Sequence, residues 1–406
     1  MSFQQGLSGL NGAAKNLDVI GNNVANANTS GFKQGVAVFG DVFAASLSGG
    51  GGTQVGIGTQ ITSVNQQFTQ GNISLSNNPL DIAVNGQGFF RLSDAGSVTY
   101  TRNGGFSVDK EGYIVSSRGQ NLTGFESRNG AIVPGVLTNL RLSSSDLLPQ
   151  ATTTAGIGAN LASTDIAIPI AGFDALDPKT YNFSTASTVY DTLGQAHTMT
   201  LYFNKESSNV WNSNVYVDGV DSNIPVGIGG ASQLTFDQQG VLSAATNLNK
   251  TVALPNGAAN LAIVMDYSEM TQFGSGFGVN ALSQDGFASG RLSGYNIGND
   301  GIVLGRYTNG QSQQLGQVAL SNFVNPQGLS PLGDSMWAES STSGIPLTGS
   351  PGSASLGSIQ SGAKEDSNVD LTAELVNMIT AQRVYQANAQ SIKAQDAVLQ
   401  TIVNLK

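Results

Sequence analysis

Covalent or acid/base chemistry needs a nucleophile, a proton carrier or a metal ligand, and this chain has few of them: one histidine, His197, and no cysteine in 406 residues. The lack of Cys excludes thiolate nucleophiles, thiolate metal sites and disulfides together. His197 lies in an alternating run before Met199, without a second histidine to complete a metal pair, so it reads as a strand-face residue and not as a general base. The carboxylate pairs Asp174 with Asp177 and Asp218 with Asp221 fall among Gly, Pro and Asn, which makes them turn residues before an acid/base pair. The glycine runs Gly49 to Gly52 and Gly274 to Gly278 lack a following Lys-Ser/Thr, so neither reads as a phosphate cradle. Asn299-Asp300-Gly301 has no second copy and no acidic run after it, and reads as a hairpin turn instead of a calcium loop. The expectation is therefore no catalytic residue, no cofactor, no metal and no enzyme activity.

The elements that position these residues are mostly strands. Charged residues make up only 11% of the chain while Gly contributes 52 residues, a mixture that favours turn-rich β-structure with neutral polar faces. Seventeen basic against 27 acidic residues give a net charge of −10 without any Lys/Arg block, which argues against nucleic acid or an anionic membrane as partner. The length exceeds what one core usually serves, so more than one domain is expected. Met1 to Gln5 has neither a basic nor an unbroken apolar segment of a cleavable secretory signal, and no run is long enough to span a bilayer.

Two stretches at the ends depart from the β pattern. Leu371, Leu375, Met378, Gln382, Tyr385, Ala389, Ile392, Asp396, Leu399 and Val403 follow alternating steps of four and three, the spacing of one seam along a helix. Phe3, Leu7, Leu10, Ala14, Leu17, Gly21 and Val24 repeat that spacing at the other end, and the two helices read as partners. Asn368 or Asp370 can cap the C-terminal helix, and Glu374 sits in an early turn where the helix dipole favours negative charge. The surrounding Gln382, Gln386, Asn388, Gln390 and Ser391 give that helix a polar, uncharged face.

Between the ends the chain reads as nested: terminal helices over residues 1–32 and 365–406, extended connectors over 33–70 and 352–364, a first β-domain over 71–147 and 283–351, and an inserted β-domain over 148–282. The fold class expected is multidomain and mainly β with long terminal α-helices that form one coiled-coil-like domain. In the first β-domain Leu80, Ile82 and Val84 alternate up to the Asn85-Gly86 turn, and Phe90 and Leu92 resume the alternation. In the inserted domain Met199, Leu201 and Phe203 form a strand whose neighbours are Val210-Trp211 and Val215-Tyr216-Val217, with Leu261, Ile263 and Met265 closing the same block.

The run Leu17-Asp18-Val19-Ile20-Gly21-Asn22-Asn23-Val24-Ala25-Asn26-Ala27-Asn28-Thr29-Ser30-Gly31-Phe32-Lys33 resembles the N-terminal signature of the bacterial flagellar rod and hook family of axial proteins. Thr101-Arg102-Asn103-Gly104-Gly105-Phe106, the returning stretch Leu315 to Phe323 and the block Ser367 to Ile379 resemble other segments of that family. The inserted domain and the return favour its hook branch over a distal rod protein; a secreted β-rich adhesin is the rival from another class. The resemblance implies a subunit that polymerises into a flexible helical tube, transmits torque from rod to filament and encloses an export channel. It implies as partners the chain itself, distal rod, hook cap and hook–filament junction proteins and the flagellar export apparatus. It implies an extracellular place on the flagellum, attached to the basal body. The subunit-interface residues expected are Phe3, Leu7, Leu10, Leu17, Val24, Asn26, Gly31, Phe32, Leu371, Leu375, Met378, Tyr385, Ile392, Leu399 and Val403. The glycine-interrupted first helix and the Gly/Ser-rich connectors lead to a further expectation: neither seam is held by the β-domains, and the termini are disordered in the free subunit and ordered only in the tube.

Overall fold

A computed structural model describes residues 2–42, 56–128, 130–142, 146–218, 231–254 and 256–404. The chain divides into two compact units, one of residues 1–144, 294–305 and 312–406, the other of residues 145–293 and 306–311. Asp221, Gly49 to Gly52 and part of the first connector lie outside the described residues.

The first unit holds both long helices, α1 (Ser2–Ala25) and α2 (Leu371–Asn404). At 1.5 Å per residue α2 is roughly 50 Å long and overhangs the shorter α1. Asp370 supplies the cap of α2: its Oδ1 accepts from the amides of Thr372 at 2.8 Å and Ala373 at 3.2 Å. Asn368 does a different job, donating its amide to Gln67 O at 2.8 Å while its Oδ1 accepts from the amide of Gln34 at 2.7 Å.

The stretch expected to be an extended connector is folded. β1 (Gly35–Val42) pairs antiparallel with β2 (Gly58–Gln66), Gly35 opposite Gln66 and Val42 opposite Gly58. Its alternation is weak in sequence because both faces are only partly covered, as the half-buried and exposed positions along it show. The hairpin grips α1: Gln5 donates to Gly56 O at 2.6 Å, and Ser8 Oγ accepts from the Thr59 amide at 3.3 Å.

The β-structure of this unit is built from both halves of the chain. The hairpin Phe89–Asp94 with Ser97–Thr101 is flanked by returning strands, Leu320–Asn322 on the first and Met336–Ala338 on the second. Ser358–Ser361 pairs with Ile82–Asn85, and Ala363–Glu365 with Ile73–Leu75. Ile82, Phe90, Leu92, Leu122, Val318 and Leu320 fill one core. Phe89, Tyr100, Phe323, Leu329 and Trp337 fill a second, aromatic one, and Trp337 Nε1 reaches Gln66 Oε1 at 2.5 Å, tying it to the end of β2.

Among the described residues the second unit contains two five-stranded sheets. One is a meander in chain order through Phe183–Tyr190, Ala196–Ser207, Val210–Val217, Ser232–Phe236 and Leu242–Ala245. The other is built around Thr154–Ala162, which pairs with Leu261–Asp266, Thr271–Phe273 and Gly278–Gln284. Leu201, Phe203 and Trp211 from the first sheet share one core with Leu161, Ile263 and Met265 from the second. Leu261, Ile263 and Met265 thus pack across from the Met199 strand; they do not extend its sheet. Gly278–Gln284 pairs within this unit, so the unit runs past residue 282.

Candidate assembly surface and its junction

α1 and α2 meet through small side chains. Gly6 lies against Ile392 and Gly9 against Asn388, where an added Cβ would fall 3.0 Å and 2.8 Å from the neighbouring atoms. Ala13 and Ala381 are buried. Close approach of this kind needs small residues, and it explains helix-weakening glycines in α1 that cost roughly 1 kcal/mol each in an exposed helix. Asn388, expected on the polar face, is half-buried here; Gln382, Gln386, Gln390 and Ser391 are exposed.

This pairing is reinforced by the hold of the β1–β2 hairpin on α1. It also separates the apolar seams from the centre of the contact. Of the expected interface residues, Phe3 (46% exposed), Leu7, Leu371, Leu375 (49%), Tyr385 and Leu399 (55%) remain on the surface. Leu10, Leu17, Val24, Asn26, Phe32, Met378 and Ile392 are half-buried and Gly31 is buried. Val403 is on α2, with its side chain outside the described residues. Val376, Ile379, Val384 and Val398 add exposed apolar area that the four-three reading missed. Between α1, β1 and α2 lies a cleft of about 530 Å³, lined by residues such as Gly12, Ala13, Ala37, Phe39, Ala381 and Val384.

At the inner ends of the helices the recognised motifs converge. Asn23 clamps Gly35 through both amide groups, at 2.8 and 2.9 Å. Gly31, at φ +71°, passes so close to Asn103 that a Cβ would sit 2.5 Å from its nitrogen, and its own amide donates to Glu365 O at 2.8 Å. Two residues on, Lys33 Nζ donates to Glu365 Oε1 at 2.6 Å and to Thr69 O at 2.7 Å. Arg102 donates to Glu365 Oε2 at 3.2 Å and to Gly86 O at 2.8 Å, and its guanidinium lies over the Phe89 ring. The Gly71 amide gives Glu365 Oε1 a further bond at 2.9 Å. The Lys33 and Glu365 side chains are fully buried and Arg102 nearly so. Burial pulls Lys33 and Arg102 below their ordinary ranges, and Glu365 opposes it in both. Gln34 meanwhile donates to the buried Glu374 at 2.5 Å.

Sequence reasoning did not single out Lys33, Arg102 or Glu365. A signal was present: Lys33 is the only charged residue between Asp18 and Asp41, and Arg102 the only one between Asp94 and Asp109.

In the second unit His197 does sit on a strand, buried, with more company than expected. Its Nε2 faces Asp191 Oδ2 at 3.1 Å and its Nδ1 contacts Asp218. Burial lowers its pKa, but the two carboxylates outweigh that and the net direction is upward. Asp174 and Asp177 accept from the amides two residues on, as turn residues do. Among the described residues there is no group of three or more His, Cys, Asp or Glu side chains placed to hold a metal ion.

Comparison with known proteins decides the family. Residues 3–33 match the flagellar basal body rod protein family, and residues 83–169 the flagellar hook protein FlgE/F/G D1 domain. Residues 160–287 match the flagellar basal body protein FlaE D2 domain, and 360–405 the flagellar basal body rod FlgEFG protein C-terminal family. The flagellar hook protein FlgE of Salmonella typhimurium (strain LT2) is 42% identical over the full length of both chains, as is that of Escherichia coli (strain K12). The chain belongs to the flagellar hook protein family. The hook protein FlgE2 of Helicobacter pylori shares its fold, with a TM-score of 0.53 and 14% identity over 71% of this chain and 99% of that one. Membership of the hook-protein family makes the exposed helix faces and the buried junction parts of a structural component of the flagellum.

Proposed function

We propose that this chain is the repeating subunit of the flagellar hook: a helical homopolymer in which α1 and α2 of successive copies build a continuous wall around an export channel and carry torque from rod to filament. One observation carries the reading. Phe3, Leu7, Leu371, Leu375, Val376, Ile379, Val398 and Leu399 are roughly half exposed, and they outnumber the exposed charges of the two helices, Lys15, Asp18, Arg383, Lys393 and Asp396. Covering each is worth about 1 kcal/mol, so the gross gain is on the order of 8 kcal/mol before the cost of association. An apolar face of this extent on two adjacent helices is the mark of an interface. A heterologous contact repeated without closure gives a tube.

Contacts at the two ends of such a tube belong to distal rod, hook cap and hook–filament junction proteins, and delivery to an extracellular site belongs to the flagellar export apparatus. No catalytic step enters this reading. Electron microscopy of the purified, concentrated protein tests it: tubes of even diameter support a hook subunit, and dispersed monomers under conditions that polymerise a relative such as the Salmonella protein refute it.

A further inference from the structure

Every covalent path from either long helix into the β-structure of the first unit passes through the Lys33–Arg102–Glu365 cluster. Lys33 follows the end of α1 and precedes β1; Glu365 ends a strand shortly before α2 begins; Arg102 follows the strand Ser97–Thr101. The three charges come from segments far apart in sequence and meet only in the folded chain.

The cluster is badly composed for stability. Two cations share one carboxylate out of water, and Arg102 Nε, itself buried, has no hydrogen-bond partner among the described residues. Apolar residues of similar volume often serve a core as well as or better than a buried ion pair does. Charge-assisted bonds supply what apolar contacts lack, namely direction: the Glu365 carboxylate holds the Gly71 amide and Lys33 holds Thr69 O, while the backbone carbonyl of the same Glu365 takes the Gly31 amide. We propose that Lys33, Arg102 and Glu365 are the positioning residues of a stiff joint that passes force between the paired helices and the β-structure of the same unit. The assignment rests on the tube reading above. It goes beyond it by placing the load path behind the apolar seams, in side chains buried inside the single subunit.

The test uses the full chain with three variants. Glu365→Gln removes the counter-charge. A triple variant, Lys33→Met with Arg102→Met and Glu365→Met, removes all direction while keeping volume. Leu122→Ala opens a cavity in the β core away from the joint, where Leu122 is fully buried. In the monomer, Glu365→Gln is expected to speed hydrogen exchange of the peptides holding Gly31 and Gly71 about ten-fold, with the strand Phe89–Asp94 unchanged. In tubes, read by the recoil of a bead tethered to one hook, the triple variant is expected to have torsional stiffness lower by about two-fold or more, with a melting temperature near that of the parent. Leu122→Ala should do the reverse, losing melting temperature and keeping stiffness. Parental exchange at Gly31 and Gly71 in Glu365→Gln, or parental stiffness in the triple variant, overturns the joint. If Glu365→Gln does not fold, the triple variant decides alone. If the parent itself forms no tubes, the tube reading fails, and the exchange measurement still judges the joint.

Discussion

Leu375→Asp isolates the seam from the fold. Leu375 is 49% exposed in the single chain, near the start of α2, where the helix dipole tolerates an added carboxylate. The change should leave the monomer within about 0.5 kcal/mol of the parent. Covering the exposed half of the leucine in the tube is worth about 1 kcal/mol, which the variant forgoes. The aspartate must also be desolvated without a partner, at a cost of several kcal/mol if it stays charged. A total of about 3–5 kcal/mol per subunit corresponds to a rise in critical concentration of about 10²-fold or more, at 1.4 kcal/mol per decade. Leu375→Asn, which loses mainly the apolar term, should raise it several-fold less. Met378 is half-buried in the monomer, so its substitution would mix the two effects. Sedimentation across a concentration series, with melting of the monomer measured alongside, gives both quantities. Growth of normal tubes by Leu375→Asp at the parental critical concentration, with an unchanged monomer, refutes the argument from exposed area.

Gly9→Val should loosen the helix pair by about 1–3 kcal/mol, since the new Cβ meets Asn388, and limited proteolysis should then cut α1 in the monomer. Gly21→Ala, with nothing among the described residues within 4 Å of the new Cβ, should instead gain up to about 1 kcal/mol of helix stability. His197 has a folded-state pKa above its ordinary 6.5, so its contribution is complete below that value and is lost as pH rises through the folded pKa. Asp191, whose carboxylate is drawn upward by burial but net downward by hydrogen bonds from His197, Gln195, Asn256 and Leu193, acts on the acid side, its contribution fading as pH falls through its depressed pKa. Melting of the second unit should therefore fall as pH rises above the ordinary histidine value of 6.5 in the parent and stay flatter in His197→Gln. Replacing residues 146–291 by a short Gly/Ser joint removes none of the helix residues, and the shortened chain should still polymerise; loss of tubes in electron micrographs would contradict the assignment of assembly to α1 and α2.

The existence of both helices, the strands around Ile82, Phe90 and Leu201, and the family were legible because period and motif agreed at each place. The helix contact was not, for a physical reason. Gly6, Gly9 and Ala13 pack by absence of bulk, which a search for apolar periodicity passes over; the four-three pattern caught Ile392, which meets Gly6, but otherwise found half-buried flanks and exposed positions such as Leu375 and Leu399. The β1–β2 hairpin was hidden because its side chains are half covered on both faces and its sequence lacks clean alternation. Lys33, Arg102 and Glu365 act through long-range pairing, and only the fold brings residues 33 and 365 together. His197 was placed on its strand by alternation, whereas Asp191, six residues upstream, gave no period to link it to the ring.

A cysteine-free chain allows the central claim to be read directly. Leu7→Cys, Leu375→Cys and Leu399→Cys place a thiol on the exposed helix faces, and Leu176→Cys places one on the second unit, where Leu176 is 69% exposed. Maleimide labelling of the monomers should modify all four. In assembled tubes the three helix positions should resist labelling while Leu176→Cys still reacts; equal labelling of the helix positions in monomer and tube would show that these faces do not build the polymer.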